Sequence, residues 1–301
     1  MKNGLPSCAR PASRPNSVTH QVRKLKARDG ATLSYDIHDY TDPWTTPSTV
    51  ILQHGFGRSG RFWYGVIPAL ARHYRVVCPD FRGLGASTEG VNLDHSLTLD
   101  NYLADLNAIV DDLAVPSLHL VGESLGGVVG FAFAALQGAR LRTLTTLSSP
   151  LFIKPEVQRA FAFGHASWEQ ALEKMGSCEW SKQANAATRF PADTDPRIPA
   201  WFAHESGQNR VEALMAMVRF ASGADVTPLL ERISVPVLGL YPTAGAVTSD
   251  EQLAVMREKI RDLRIIHLPT ASHMTWILEP AVCARHILEF ISAHDGSPRA
   301  T

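Results

Sequence analysis

Apolar and polar residues alternate through "HQVRKLKARDGATLSYDIHD", His20 to Asp39, on either side of Asp29-Gly30. That pattern predicts a β-hairpin. Downstream the rhythm changes. "STVILQHGFG" is a short β-branched run ending in a glycine-rich turn, "FWYGVIPALARH" has helical spacing, and "YRVVCPDFRGLGAS" reads as a strand followed by a Gly-rich loop. "LTLDNYLADLNAIVDDLA" repeats apolar residues at intervals of three and four, the mark of an amphipathic helix. A strand "LHLVG", a helix after Ser124 and a strand "LRTLTTLSS" follow. Strands alternating with helices imply a parallel sheet covered on both faces. Because parallel crossovers are right-handed almost without exception, a doubly wound sheet is the natural topology.

From about Leu151 to Thr227 the alternation stops. "KPEVQRAFAFGHASWEQALEKM" and "RVEALMAMVRFASG" are helical, and no convincing strand lies among them. The rhythm returns with the strand "VPVLGLYP", the helix "SDEQLAVMREKI", the strand "LRIIHLP" and a last helix through "AVCARHILEFISAH". The expected fold is α/β: a doubly wound, mostly parallel sheet with a helical cap inserted before the last strands. Its core takes 21–150 and 228–297, its cap takes 151–227, and 1–20 form a tail.

With 45% hydrophobic and 19% charged residues in a chain of 301, the composition is that of a globular protein with a substantial core. Basic and acidic side chains balance at 29 each, which gives no support for a nucleic-acid partner or an anionic membrane surface. No apolar run approaches the roughly 18 residues needed to span a bilayer. The first twenty residues are rich in Pro, Ser and basic residues but lack an apolar core; they read as a frayed tail or a transit peptide, not a secretory signal. Cys8, Cys78, Cys178 and Cys283 match no metal-ligand spacing and read as reduced thiols of a cytoplasmic protein.

The candidate chemistry sits in "LHLVGESLGGVVGFAFAA". A serine between glycines at the point where a strand becomes a helix implies a sharp, strained turn. Gly122 and Gly126 remove collisions there, Ser124 Oγ is lifted clear of the sheet, and the N–H of Leu125 is free to donate to an oxyanion. An alcohol needs a base. Among twelve histidines, His273 lies in the loop after the last predicted strand, on the sheet edge that also carries Ser124. Ser124 before His273 is the chain order expected of this sheet type. His54, after the third strand, is read as bracing the turn that positions the N–H of Phe56, the second oxyanion donor.

"HGFG" after an early strand, "DFRGLGAS" after the next, "GESLGG" and "SHMTWILEP" together resemble the α/β-hydrolase fold, in its capped serine esterase and lactonase-like branch. The resemblance runs from about Val22 to Ala293. Relatives that are haloalkane dehalogenases or epoxide hydrolases carry an aspartate where this chain has Ser124, which argues against their chemistry. One expected element is missing. The family's acid falls on Gly245, and the other slot used by some relatives falls on Ser148 or Ser149. A shifted carboxylate is one solution, with Asp250 the first candidate and then Glu156 and Asp225. A neutral hydroxyl, Ser148 or Ser149, is a second, and a degenerate site is the third. Asp80 and Arg82 are read as a pair fixing their loop, and Glu123 as pointing away from the oxyanion.

The resemblance implies a serine hydrolase working without metal or organic cofactor. Ser124 attacks a carbonyl, His273 takes its proton, and Phe56 and Leu125 hold the oxyanion. A small, largely apolar ester or lactone is the expected substrate, because Trp168, Trp180, Trp201 and Phe202 supply aromatics and no cluster of charge is evident; amides and carbamates remain open. The alternatives are a non-catalytic ligand-binding protein of the same fold, which the empty acid slot favours, and a carbon–carbon bond hydrolase. The expected partners are a small molecule, with no nucleic acid and no membrane, and the expected state is a monomer or homodimer.

Overall fold

The computed structural model describes residues 19–243 and 247–295. β1 (Thr19–Lys26) and β2 (Thr32–Asp39) form the hairpin, turning through Gly30 at φ 89°. β1 starts inside the stretch read as tail: Thr19 and His20 pair with Asp39 and His38. β3 (Thr49–Gln53), β4 (Arg75–Pro79), β5 (Leu118–Glu123), β6 (Leu141–Leu147), β7 (Val237–Pro242) and β8 (Leu263–Leu268) complete an eight-stranded sheet in the order β1-β2-β4-β3-β5-β6-β7-β8. β1, β2 and β4 pair antiparallel, and every pair from β4 through β8 is parallel.

The helices are α1 (Ile67–Ala71), α2 (Leu99–Asp112), α3 (Leu125–Gln137), α4 (Pro155–Phe161), α5 (Trp168–Ala184), α6 (Arg197–Ser206), α7 (Val211–Gly223), α8 (Asp250–Lys259), α9 (Thr275–Leu278) and α10 (Pro280–Ser292). The helical reading of "FWYGVIPALARH" shortens to a 3₁₀ turn at Gly60–Trp63 and the single-turn-plus helix α1. Thr98 caps α2 by accepting the N–H of Asn101, the local reason that helix starts where it does.

Side chains of successive strand residues point to opposite faces, so the central strands feed two cores. Ile51, Val77, Leu120 and Leu144 join α2, α3 and the inserted helices on one face. Leu52, Val76, Val121, Leu147 and Leu240 join α1 and α10 on the other. Each fully buried Val, Leu or Phe contributes about 1.5–3 kcal/mol. Between β6 and β7 the regular elements among the described residues are helices, joined by loops, with one bridge pairing Phe152 with Asp225 at the base of the insertion.

Strand order decides where ligands go. The chain leaves β3 toward β4 and then crosses back to β5 on the other side of β3. Loops at the carboxyl ends of β3 and β5 therefore diverge at a switch point, the place where open α/β sheets bind small molecules. Those loops are "HGFG" and "GESLGG".

Candidate active site

Ser124 joins β5 to α3 with φ 51° and ψ −120°, a conformation an L-residue adopts at a cost of about 1–3 kcal/mol. Its surroundings impose it. The N–H of Ser124 donates to Leu147 on β6 at 2.9 Å, while its carbonyl accepts from Gly127 at 3.0 Å inside the first turn of α3. The neighbouring glycines have no room for a side chain: a Cβ on Gly122 would lie 2.5 Å from the Gly126 carbonyl oxygen, and one on Gly126 would lie 2.3 Å from that of Gln53.

The structure brings Ser124 and His273 together. Ser124 Oγ is 3.1 Å from Nε2 of His273, with the residues 8% and 6% exposed. His273 stands in the loop between β8 and α9. Burial above all, then the charges of Arg58 and Arg189, holds its imidazole well below the ordinary histidine pKa. At neutral pH the ring is therefore uncharged and able to accept the serine proton at Nε2 when Nδ1 carries the hydrogen.

Phe56 and Leu125 lie where the chain leaves β3 and β5. Leu125 is the first residue of α3, where a helix leaves its N–H groups unfilled. Neither its N–H nor that of Phe56 has a hydrogen-bond partner among the described residues. The Phe56 loop is held from two sides. Fully buried His54 spans it, with Nδ1 at 2.9 Å from the Gly55 carbonyl and Nε2 accepting the N–H of Phe81 at 2.9 Å. Burial pushes its pKa down to about 3, so it is a neutral brace. Glu123, 0% exposed, accepts the Gly55 N–H and grips Arg58 twice, Nε to Oε1 and Nη2 to Oε2, each 2.5 Å. The residue before the serine thus turns its carboxylate onto Gly55 and Arg58 and pins the loop that carries Phe56.

His273 Nδ1 has no hydrogen-bond partner among the described residues. Asp250 opens α8 and shares a cavity of about 370 Å³ with His273 and Ser148, but makes no hydrogen bond or ion pair to the ring. Glu156 lies in the first turn of α4, and Asp225 accepts the N–H of Thr227 at 2.8 Å; neither makes a hydrogen bond or ion pair with His273. Gly245 lies outside the described residues. Of the two hydroxyls, Ser149 Oγ donates toward the carbonyls of Leu147 and Gly122, at 3.1 and 3.4 Å. Ser148 Oγ is buried without a partner on the wall of the His273 cavity.

Asp80 and Arg82 are not a pair. Arg82 binds Asp105 and Asp29, whereas Asp80 accepts backbone N–H groups of Gly60 and Ala86, both at 2.8 Å. Arg82 points toward α2 and the hairpin turn, and the two turn residues need the Asp80 carboxylate as their acceptor. Nor is the site free of charge. Arg58 follows Phe56 by two positions, and a buried glutamate beside the serine already called for a cation. Arg189 ends a five-residue π turn, Asn185–Arg189, and is 5% exposed; no spacing pattern points to it.

Trp168 and Trp180 reach the site, with ring centres 4.8 and 5.5 Å from that of Phe56. The described residues offer one grouping of metal-ligand type, His20, Asp36 and His38 on the hairpin; it stands at the far edge of the sheet from β5. Cys78, Cys178 and Cys283 are free thiols, and Cys8 lies outside the described residues. No helix among the described residues is long and apolar enough to cross a membrane.

The family profile of the α/β hydrolase fold matches residues 48–172. A pimeloyl-[acyl-carrier protein] methyl ester esterase of Aeromonas salmonicida is 30% identical over 241 residues, 77% of this chain and 90% of that one. A candidate carbamate hydrolase, RutD, of Variovorax paradoxus is 27% identical over 274 residues, 86% of this chain and 96% of that one. The enol-lactonase of Burkholderia xenovorans superposes with a TM-score of 0.78 at 22% identity, covering 90% of this chain and 100% of its own, a likeness of fold. The chain belongs to the α/β hydrolase fold family. Its relatives place it among that family's hydrolases.

Proposed function

We propose that this protein is a serine hydrolase that cleaves an ester or lactone through an acyl-enzyme on Ser124. The supporting observation is the contact between Ser124 Oγ and His273 Nε2 at 3.1 Å, beside two backbone donors without partners. In this reading Ser124 Oγ attacks the carbonyl carbon as its proton passes to Nε2. The developing oxyanion takes hydrogen bonds from the N–H groups of Phe56 and Leu125, each worth about 10²–10³-fold in comparable sites. Collapse expels the leaving oxygen, which collects the proton from His273. Water, activated by the same nitrogen, then attacks the acyl carbon and frees Ser124. Every proton and electron pair is handled by the serine, the imidazole and water, so the scheme calls on no cofactor. The helices between β6 and β7 act as a cap whose aromatics, Trp168 and Trp180, contact the acyl part.

The acid is the weak point of the constellation. Among the groups weighed from sequence, Ser148 is the one whose hydroxyl is both unpartnered and on the His273 cavity, so we assign it the orienting role, with water completing the contact. The likeness to RutD favours carbamates as a second substrate class.

Labelling with a fluorophosphonate probe tests the nucleophile. Wild type should label on the peptide containing Ser124, while Ser124→Ala should stay unlabelled and His273→Ala should label far more slowly. A folded wild-type chain that takes up no probe would remove the proposal.

A further inference from the structure

We propose that Arg189 reads a carboxylate on the substrate, so that the ester or lactone cleaved here has an apolar middle and an anionic end. This inference rests on the Ser124 reading above and narrows its substrate class.

Two guanidinium groups are buried at the site, and only one is neutralised. Arg58 is matched by Glu123 in a two-point pair. Arg189 has no carboxylate partner among the described residues. Its Nη1 touches neutral oxygens, Ser181 Oγ at 3.3 Å and Asn185 Oδ1 at 3.2 Å, and its Nε and Nη2 have no partner there. A buried cation without a counter-ion is costly. Its retention in a protein that satisfies Arg58 and Arg82 so fully points to an anion that arrives with the substrate.

The position fits. The Arg189 guanidinium carbon lies over the rings of Trp180, at 5.1 Å, and Phe202, at 5.2 Å. Trp180 meets Phe56 edge-on, and Phe56 carries the oxyanion donor. On the other side, the Arg189 carbonyl accepts the hydroxyl of Ser272, the residue before His273. That hydroxyl in turn accepts the N–H of Met274 at 3.0 Å. Arg189 is therefore tied into both the aromatic wall and the loop that holds the base. Its charge reaches His273, whose proton affinity it lowers along with Arg58. Placing a cation beside a general base weakens that base, a cost that a substrate anion would offset on binding.

The chemistry selects a carboxylate over a phosphate. The free Nε and Nη2 form the planar fork that two carboxylate oxygens fit. One uncompensated positive charge matches one negative charge, whereas a phosphate dianion would leave excess negative charge near Glu123.

Two measurements test this. In turnover, p-nitrophenyl half-esters of C4 to C8 diacids are compared with p-nitrophenyl esters of monoacids of the same length. At one or more lengths the half-ester should have the higher kcat/KM, by about 10- to 100-fold, the range of a charge-assisted hydrogen bond. Arg189→Gln should bring that ratio to one or below, and Arg189→Lys should retain part of it. The second measurement is calorimetric binding to Ser124→Ala of monomethyl half-esters against neutral methyl esters. It should show the same preference, lost in Ser124→Ala/Arg189→Gln. Arg189→Gln should fold with a Tm at or above wild type, because an unpaired buried charge is removed; a purely structural arginine would instead lower Tm and leave the ratio unmoved. A wild-type ratio near one at every length, or a ratio unchanged by Arg189→Gln, overturns the inference. Binding to the Ser124→Ala chain needs no turnover, so failure of the nucleophile assignment and failure of the carboxylate reader register separately.

Discussion

Replacing Glu123 with glutamine probes the most tightly built part of the site. Glu123 and Arg58 are 0% and 1% exposed, with two N–H···O contacts of 2.5 Å. For unit charges about 3 Å apart, an effective dielectric near 20 gives roughly 5 kcal/mol of attraction. Desolvating both ions cancels much of this, so the intact pair contributes little net stability. Removing one partner is a different matter. Glu123→Gln leaves Arg58 as a second unpaired buried cation beside Arg189, and the expected loss is about 3–5 kcal/mol. That is a large fraction of the 5–15 kcal/mol that holds a typical domain folded. The glutamine also accepts the Gly55 N–H more weakly, so the loop carrying the Phe56 donor loosens. Hydrolysis should fall toward the roughly 10²–10³-fold limit for a lost oxyanion donor. Urea unfolding of wild type, Glu123→Gln, Arg58→Met and the double variant measures the stability side. The double variant should recover most of what either single change loses, since neither member of the pair is left as a bare charge. A single-variant cost under about 1 kcal/mol, or a double variant as unstable as the two singles summed, would refute the reasoning.

Other outcomes follow from the same geometry. Asp250→Asn should change kcat/KM by no more than about threefold, against the roughly 10⁴-fold cost of replacing a triad aspartate; a loss of that size would make Asp250 the acid despite the missing contact. Gly126→Ala should be destabilised by about 1–3 kcal/mol through overpacking, since its Cβ would meet Gln53 O at 2.3 Å and His54 O at 2.6 Å. Loss of probe labelling at Ser124 should accompany it, and an unchanged urea midpoint with full labelling would contradict the close approach. Three buried histidines, His54, His119 and His273, have depressed pKa values, His54 down to about 3. Below about pH 6.5 the unfolded chain binds protons that the folded one refuses, so stability should fall with acid, by about 2 kcal/mol at pH 5 for His54 alone. Urea midpoints measured from pH 8 to pH 5 check this, with His54→Gln flattening the slope. For the same reason the acid limb of kcat/KM, which reports His273 in the free enzyme, should lie below pH 6.5.

Much of the fold was legible because it is local. Alternation around Asp29-Gly30 announced the hairpin, and apolar spacing announced α2 and the inserted helices. Glycines at 122 and 126 marked the strained serine, since only a residue without Cβ tolerates backbone carbonyls at 2.5 Å or less. Chain order then put His273 on the same sheet edge as Ser124. Each of these signals is a constraint on neighbouring residues or on which face of one element is buried, and such constraints are written directly in residue types. Partner choice among distant charges is not. Arg82 took Asp105 and Asp29 over Asp80, Glu123 took Arg58, and Arg189 arrived beside the His273 loop from 84 positions away along the chain. Among the described residues, no carboxylate hydrogen-bonds to the ring of His273. Those outcomes depend on where loop ends meet after the sheet and the insertion have packed, and on which charges lose their water there. The order of residues alone determined a mostly parallel α/β sheet carrying a serine and a histidine; the packed structure decided that the charges of two buried guanidiniums reach the histidine, Arg58 matched by Glu123 and Arg189 without a carboxylate partner among the described residues.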